Sequence, residues 1–139
     1  MKLAWELIGG LALIVASQTS VSDVKVIANS SMNISQISPD ELRGVFLATK
    51  TSLADGSHVE PVLLKSGSAY NAFAKEYTGK TAAGLANYYR ALVFTGKGAM
   101  PKMLGSDEEV LAYVRKTKGA IGYVSAGGNT EGVKLLEVK

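Results

Sequence analysis

The sequence predicts an α/β fold, an open and largely parallel sheet flanked by helices. Three observations predict it. Short apolar runs alternate with stretches of helical period, the pattern of strands joined by crossover helices. Two helix starts carry capping boxes, Ser38-Pro39-Asp40-Glu41 and Ser106-Asp107-Glu108-Glu109. Glu60–Gly79 reads as a strand, a tight turn and a helix in immediate succession.

The elements follow in order. Val24–Ala28 is β-branched and mostly apolar, a first strand, and Asn29–Asn33 is a polar loop leaving it. Ser38 caps a helix with Pro39 at its first position. Ile37 and Leu42 are placed as a hydrophobic staple, and Leu42, Val45 and Phe46 form its buried stripe; the helix is expected to end near Lys50. Ala54-Asp55-Gly56-Ser57 is a turn, and Pro61–Leu64 has the length of a buried strand. Thr81 caps a helix whose apolar face is Leu85, Tyr88, Tyr89, Leu92 and Val93. A glycine-rich loop with two lysines, Thr95 to Lys102, follows. The helix from Ser106 turns Val110, Leu111 and Val114 inward and stops at Gly119. Ala120–Val124 is a buried strand, and the alternation in Val133–Val138 predicts an edge strand.

Composition narrows the function. Lys2, an apolar run from Leu7 to Ala16 and small polar residues after it have the layout of a secretory signal. Met1–Ser22 is therefore expected to be a signal peptide, with cleavage after Ser17 or Ser22, and 23–139 a single exported domain, secreted or periplasmic. A retained membrane anchor is the alternative, although the run falls short of the roughly 20 apolar residues of a spanning helix. The chain has no cysteine and one histidine, His58. Thiol nucleophiles, cysteine metal sites and histidine clusters are excluded, and no cofactor is expected. The net charge of +3 is mild, and no lysine–arginine cluster is interleaved with aromatics, so a nucleic-acid partner is not expected. Neither a P-loop nor a G-x-G-x-x-G motif is present.

The chemistry-bearing candidate is Lys65-Ser66-Gly67-Ser68. A strand turning tightly into a helix leaves the first amides of that helix without intrahelical partners, with the positive end of the helix dipole behind them. Ser66 and Ser68 add hydroxyl donors, Gly67 admits close approach and Lys65 adds a charge, which makes a cradle for a small anion. Asn29, Ser30 and Ser31, in the loop after the first strand, are expected as a second wall. The same residues also read as an ordinary helix start, with Ser66 or Ser68 as N-cap.

Several fragments together resemble the phosphate-binding proteins of ABC transporters, of the type II periplasmic binding protein fold. Val26-Ile27-Ala28-Asn29 is similar to that family's strand and loop. Leu42 to Ala48 resembles its L-x-x-I-F-L-G helix, and Ser66-Gly67-Ser68 its Ser-Gly-Thr phosphate cradle. Phe94-Thr95-Gly96-Lys97-Gly98 resembles the F-T-G-R-G of short members, and Gly119 to Val124 the G-[SA]-I-G-Y-V strand. The resemblance implies a solute-binding component that takes phosphate or a similar oxyanion, with an ABC transporter permease, or a second lobe or subunit, as partner. It covers one lobe of a two-lobed family. Where the family has an arginine ahead of the cradle this chain has Val62, and Leu53 stands near the family's tryptophan, so Lys65 is the local cation.

Two further readings stand beside this one. The first is a non-catalytic envelope module for protein–protein contact that has lost its ligand. The second is a small hydrolase using Ser66, which lacks both the G-x-S-x-G elbow and a base other than His58. The expectation is therefore a binding protein rather than an enzyme.

Overall fold

The computed structural model describes residues 23–139; the expected leader lies outside them. The chain runs through β1 (Val24–Ala28), β2 (Gln36–Ile37), α1 (Pro39–Phe46), β3 (Glu60–Leu64) and α2 (Ser68–Phe73). After these come α3 (Ala82–Phe94), β4 (Lys102–Leu104), α4 (Asp107–Lys116), β5 (Ala120–Ser125) and β6 (Lys134–Val138). One sheet takes the strands in the order β2-β6-β1-β5-β3-β4. β1 is antiparallel to both its neighbours, β5 and β6, while the β2–β6, β3–β5 and β3–β4 pairs are parallel. The sheet is thus largely parallel, as expected, with β1 alone reversed.

Helix starts follow the expected caps, with one change of partner. The Ser38, Thr81 and Ser106 hydroxyls accept from the amides of Glu41, Gly84 and Glu109. The two glutamates do not close their capping boxes on the cap residue. Glu41 accepts from the Ala54 amide at 3.0 Å and Glu109 from the Gly105 amide at 2.8 Å, each pinning a neighbouring turn instead. α1 ends at Phe46 rather than near Lys50, because Ala48 takes φ 63°, which the helix cannot continue through.

Two short strands, β2 and β4, were not expected. Each is a brief run held by a parallel neighbour in the sheet rather than by any pattern of its own. β2 also corrects the expectation for β6, which lies inside the sheet with β2 as the edge.

The sheet is packed on both faces. On one side Gly122 lets α4 approach closely: a Cβ there would lie 3.1 Å from Val110 Cγ1 and 3.3 Å from Val114 Cγ2. On the other side an aromatic group fills the space under α1 and α2. The Phe73 ring stacks on Tyr123 at 4.0 Å with 6° between planes, and Phe46 meets Phe73 edge-on at 4.6 Å. Phe46, Phe73, Tyr89 and Tyr123 are wholly buried. The buried phenols have partners: Tyr89 donates to the Phe46 carbonyl at 2.6 Å, and the Tyr123 oxygen accepts from the Leu64 amide at 3.2 Å.

Burial disfavours ionising these phenols, so the pKa values of Tyr89 and Tyr123 lie well above the ordinary 10.0. A raised folded-state pKa means that stability is present in full below about pH 10. It is then lost as the pH rises and the unfolded chain's tyrosines ionise, at about 1.4 kcal/mol per pH unit for each buried phenol. Urea unfolding between pH 8 and 11 is expected to show this fall, and Tyr89→Phe to flatten it. An unchanged slope in Tyr89→Phe would mean that its phenol is not a buried group.

Candidate functional site

The turn between β3 and α2 is fixed from both sides. Ahead of it, the Lys65 amide donates to the Leu104 carbonyl of β4 at 2.8 Å and the Leu64 amide to Tyr123. Behind it, α2 is held by Phe73 on Tyr123. Between them Lys65, Ser66, Gly67 and Ser68 are all exposed.

Gly67, not a serine, occupies the N-cap position. Its φ of 102° is one that L side chains rarely adopt, and no side chain caps the helix there. The Asn71 amide makes the first bond into the helix, to the Gly67 carbonyl at 3.0 Å. The amides of Ser68, Ala69 and Tyr70 precede it, in the place where an α-helix leaves its donors unmet. Beyond Phe73 the chain stays helical, widening to a π-helical turn over Ala74–Thr78 and closing at Gly79 with φ 72°. The amide end thus begins a continuous helical segment. A small recess of about 280 Å³ opens beside it, lined by Asp23, Ser68, Ala69 and Ser125.

Asp23 and Ser125 were missed from sequence. They reach the turn because β1 begins, and β5 ends, at the end of the sheet where β3 ends; only the reversed pairing of β1 makes this so. The Ser125 hydroxyl and its amide both donate to the Asp107 carboxylate at the start of α4. The recess therefore has donors on the α2 side and a carboxylate, Asp23, on the other.

The same reversal separates the expected second wall from the turn. Asn29, Ser30 and Ser31 follow the end of β1, which pairs with the start of β5, whereas Lys65 follows the end of β3. The length of a strand, roughly 16 Å, lies between them. Asn29 is buried and fully engaged. Its amide nitrogen donates to the Val114 and Arg115 carbonyls at 2.8 and 3.2 Å, closing the C-terminal end of α4, and its oxygen accepts from the Ser31 amide and hydroxyl. The structure brings Lys65, Ser66, Gly67 and Ser68 together and leaves Asn29, Ser30 and Ser31 at the opposite end of the sheet, where Asn29 and Ser31 are hydrogen-bonded within the fold. His58 is not at the turn either, but in the recesses near the start of β3.

Comparison with known proteins bears on the fold. No protein-family model matches the chain, and no curated protein sequence matches it. Solved structures do match. One, from Clostridium perfringens, is provisionally assigned as a phosphate ABC transporter substrate-binding protein and holds bound phosphate; it aligns with TM-score 0.64 at 14% identity, over 84% of this chain and 44% of its own. PstS from Borrelia burgdorferi aligns with TM-score 0.63 at 17% identity, over 84% and 47%. An ABC-type phosphate transport receptor from Vibrio cholerae aligns with TM-score 0.56 at 12% identity, over 91% and 53%. The fold matches one lobe of such proteins, and the chain spans about half their length.

The assignment of Asn29 to structure makes a prediction. Asn29→Ala leaves the Val114 and Arg115 carbonyls without their partner and is expected to cost about 1–3 kcal/mol in urea unfolding, with any response to phosphate unaltered. A variant as stable as the parent would contradict the role given to this side chain.

Proposed function

We propose that the chain is an exported, non-catalytic oxyanion-binding protein of the solute-binding type, with phosphate as its ligand at the start of α2. The observation that supports this most strongly is the uncapped Gly67 turn, with the Ser68, Ala69 and Tyr70 amides ahead of the first helical bond and two hydroxyls beside them. The likeness to phosphate-transport proteins, one of them holding phosphate, supports the same reading.

Each part of the turn has a physical role. The amides and the Ser66 and Ser68 hydroxyls donate to ligand oxygens. Gly67 keeps the approach clear, since nothing lies within 4 Å of where its Cβ would be. Lys65 supplies charge as a point rather than a bidentate fork. Asp23, a carboxylate lining the same recess, favours a ligand oxygen that carries a proton and can donate to it, which selects phosphate over fully ionised sulfate.

The magnitude follows from solvent access. Two unit charges 4 Å apart attract by about 1 kcal/mol in water and about 4 kcal/mol at a partly desolvated surface. An exposed turn works nearer the first value, so the affinity of this lobe alone is expected around millimolar, about −4 kcal/mol. A second lobe, a subunit or a transporter permease covering the turn would raise it.

Thermal melts with phosphate test the proposal. With a Kd of about 1 mM, roughly 20 mM phosphate adds about 1.8 kcal/mol and raises Tm by roughly 5 °C, while sulfate at equal ionic strength does less. Ser66→Ala is expected to weaken the response about fivefold to tenfold, and Gly67→Ala at least as much. No difference between phosphate and sulfate, or a Ser66→Ala response equal to the parent's, would defeat it.

A further inference from the structure

We propose that the tip formed by the end of α3 and the loop after it is a docking surface for an anionic lipid bilayer. Phe94 ends α3 with 91% of its surface exposed; Val93 before it and Met100 in the loop that follows are 49% and 47% exposed. Residues 93–100 are exposed without interruption. The sequence predicts Val93 on the buried face of α3. The structure instead places it outward, because α3 sends only Leu85 and Tyr89 fully into the core.

Cations outnumber carboxylates around this tip: Lys50, Lys97 and Lys102 line the adjoining recess with one acid, Glu60. From Tyr77 to Ser106 the chain has no aspartate or glutamate and carries Lys80, Arg90, Lys97 and Lys102. Arg90 lies one helical turn before Phe94, and Lys97 sits in the loop between Phe94 and Met100. Glu60, the acid in the adjoining recess, already accepts the Tyr113 hydroxyl, and Lys102 lies over that tyrosine's ring at 5.4 Å.

Shape and size favour a bilayer over a protein. An aromatic side chain that stands clear of its neighbours needs no preformed pocket in order to enter a lipid interface. Cations beside it meet acidic headgroups at the same depth. The apolar area is that of one ring and two partly exposed side chains, well below the roughly 800 Å² per partner of a stable protein interface. β4 begins where the loop ends and runs parallel to β3 from Lys102 opposite Val62. The tip is therefore at the start of β3, at the opposite end of the sheet from Lys65–Ser68, and a bilayer seated on it leaves the anion turn facing away.

The chain has no cysteine, so one label can be placed at will. Full-length Ala99→Cys, carrying an environment-sensitive fluorophore, is expected to brighten and shift to the blue with vesicles of phosphatidylcholine containing about 30% phosphatidylglycerol, and not with phosphatidylcholine alone. The same label at Gly127→Cys, in the turn just after β5 at the other end of the sheet, where a Cβ meets nothing within 4 Å, is expected to stay unchanged. Phe94→Ser in the Ala99→Cys background is expected to lower vesicle partitioning about tenfold with no change in Tm, and Lys97→Glu with Lys102→Glu to abolish its dependence on anionic lipid.

Any one of several results would overturn the proposal. They are no response at position 99, an equal response at position 127, partitioning indifferent to Phe94→Ser, or competition by inorganic phosphate beyond that of sodium chloride at matched ionic strength. The last would place the headgroup at the α2 turn. Capture of a soluble acidic protein through Phe94 without vesicle binding would replace the bilayer with a protein partner and count equally against it.

Discussion

Tyr123 holds both sides of the turn on which the site is built. Its ring lies flat against Phe73 of α2, and its hydroxyl takes the amide of Leu64 at the last position of β3. The residues between, Lys65 to Gly67, must then reverse the chain within a fixed gap, and a glycine with φ 102° is how they do it. A serine cap would satisfy the helix internally. Glycine leaves the start of α2 without a side-chain cap instead, so the packing of the core and the openness of the turn have a common cause. The ring pair contributes about 0.5–1.5 kcal/mol beyond its buried area.

The reversed β1 divides the molecule into two ends with different chemistry. At one end the α2 turn, Asp23, Ser125 and Asp107 come together. At the other end Asn29 closes α4, and the α3–β4 loop projects its aromatic tip. Nothing in the local sequence of β1 announces this. A strand's direction relative to its neighbours is set by how the rest of the sheet closes around it, and here β1 lies between β5 and β6, antiparallel to each. The division puts the Lys65–Ser68 turn and the α3–β4 tip at separate ends, so the proposed anion site and the proposed docking surface would not obstruct each other.

Much of the fold was legible because its determinants are local. The Ser38, Thr81 and Ser106 caps, the Leu42–Val45–Phe46 stripe, the Val110–Val114 face and the close approach at Gly122 all follow from residue type and spacing. The two-residue and three-residue strands β2 and β4 did not, because a run that short has no period to read. The turn at Lys65–Ser68 was legible as a strand-to-helix junction, though not its glycine cap. Its neighbours Asp23 and Ser125 were hidden by distance in sequence. Asn29 was expected as a wall because a loop leaving a strand of an open sheet can line a crevice, whereas the reversed β1 carries that loop to the other end. The exposure of Phe94 was equally out of reach, since an aromatic at the end of an apolar helical stripe ordinarily turns inward.

The account's central claim is that the amides opening α2 receive an oxyanion. Backbone amide chemical shifts followed while phosphate is titrated into the isotope-labelled chain test it directly. Saturating shifts concentrated at Ser66, Gly67, Ser68, Ala69 and Tyr70, with Asn29 to Ser31 still, are the predicted result. Shifts absent from that turn, or centred instead on the opposite end of the sheet, would contradict it.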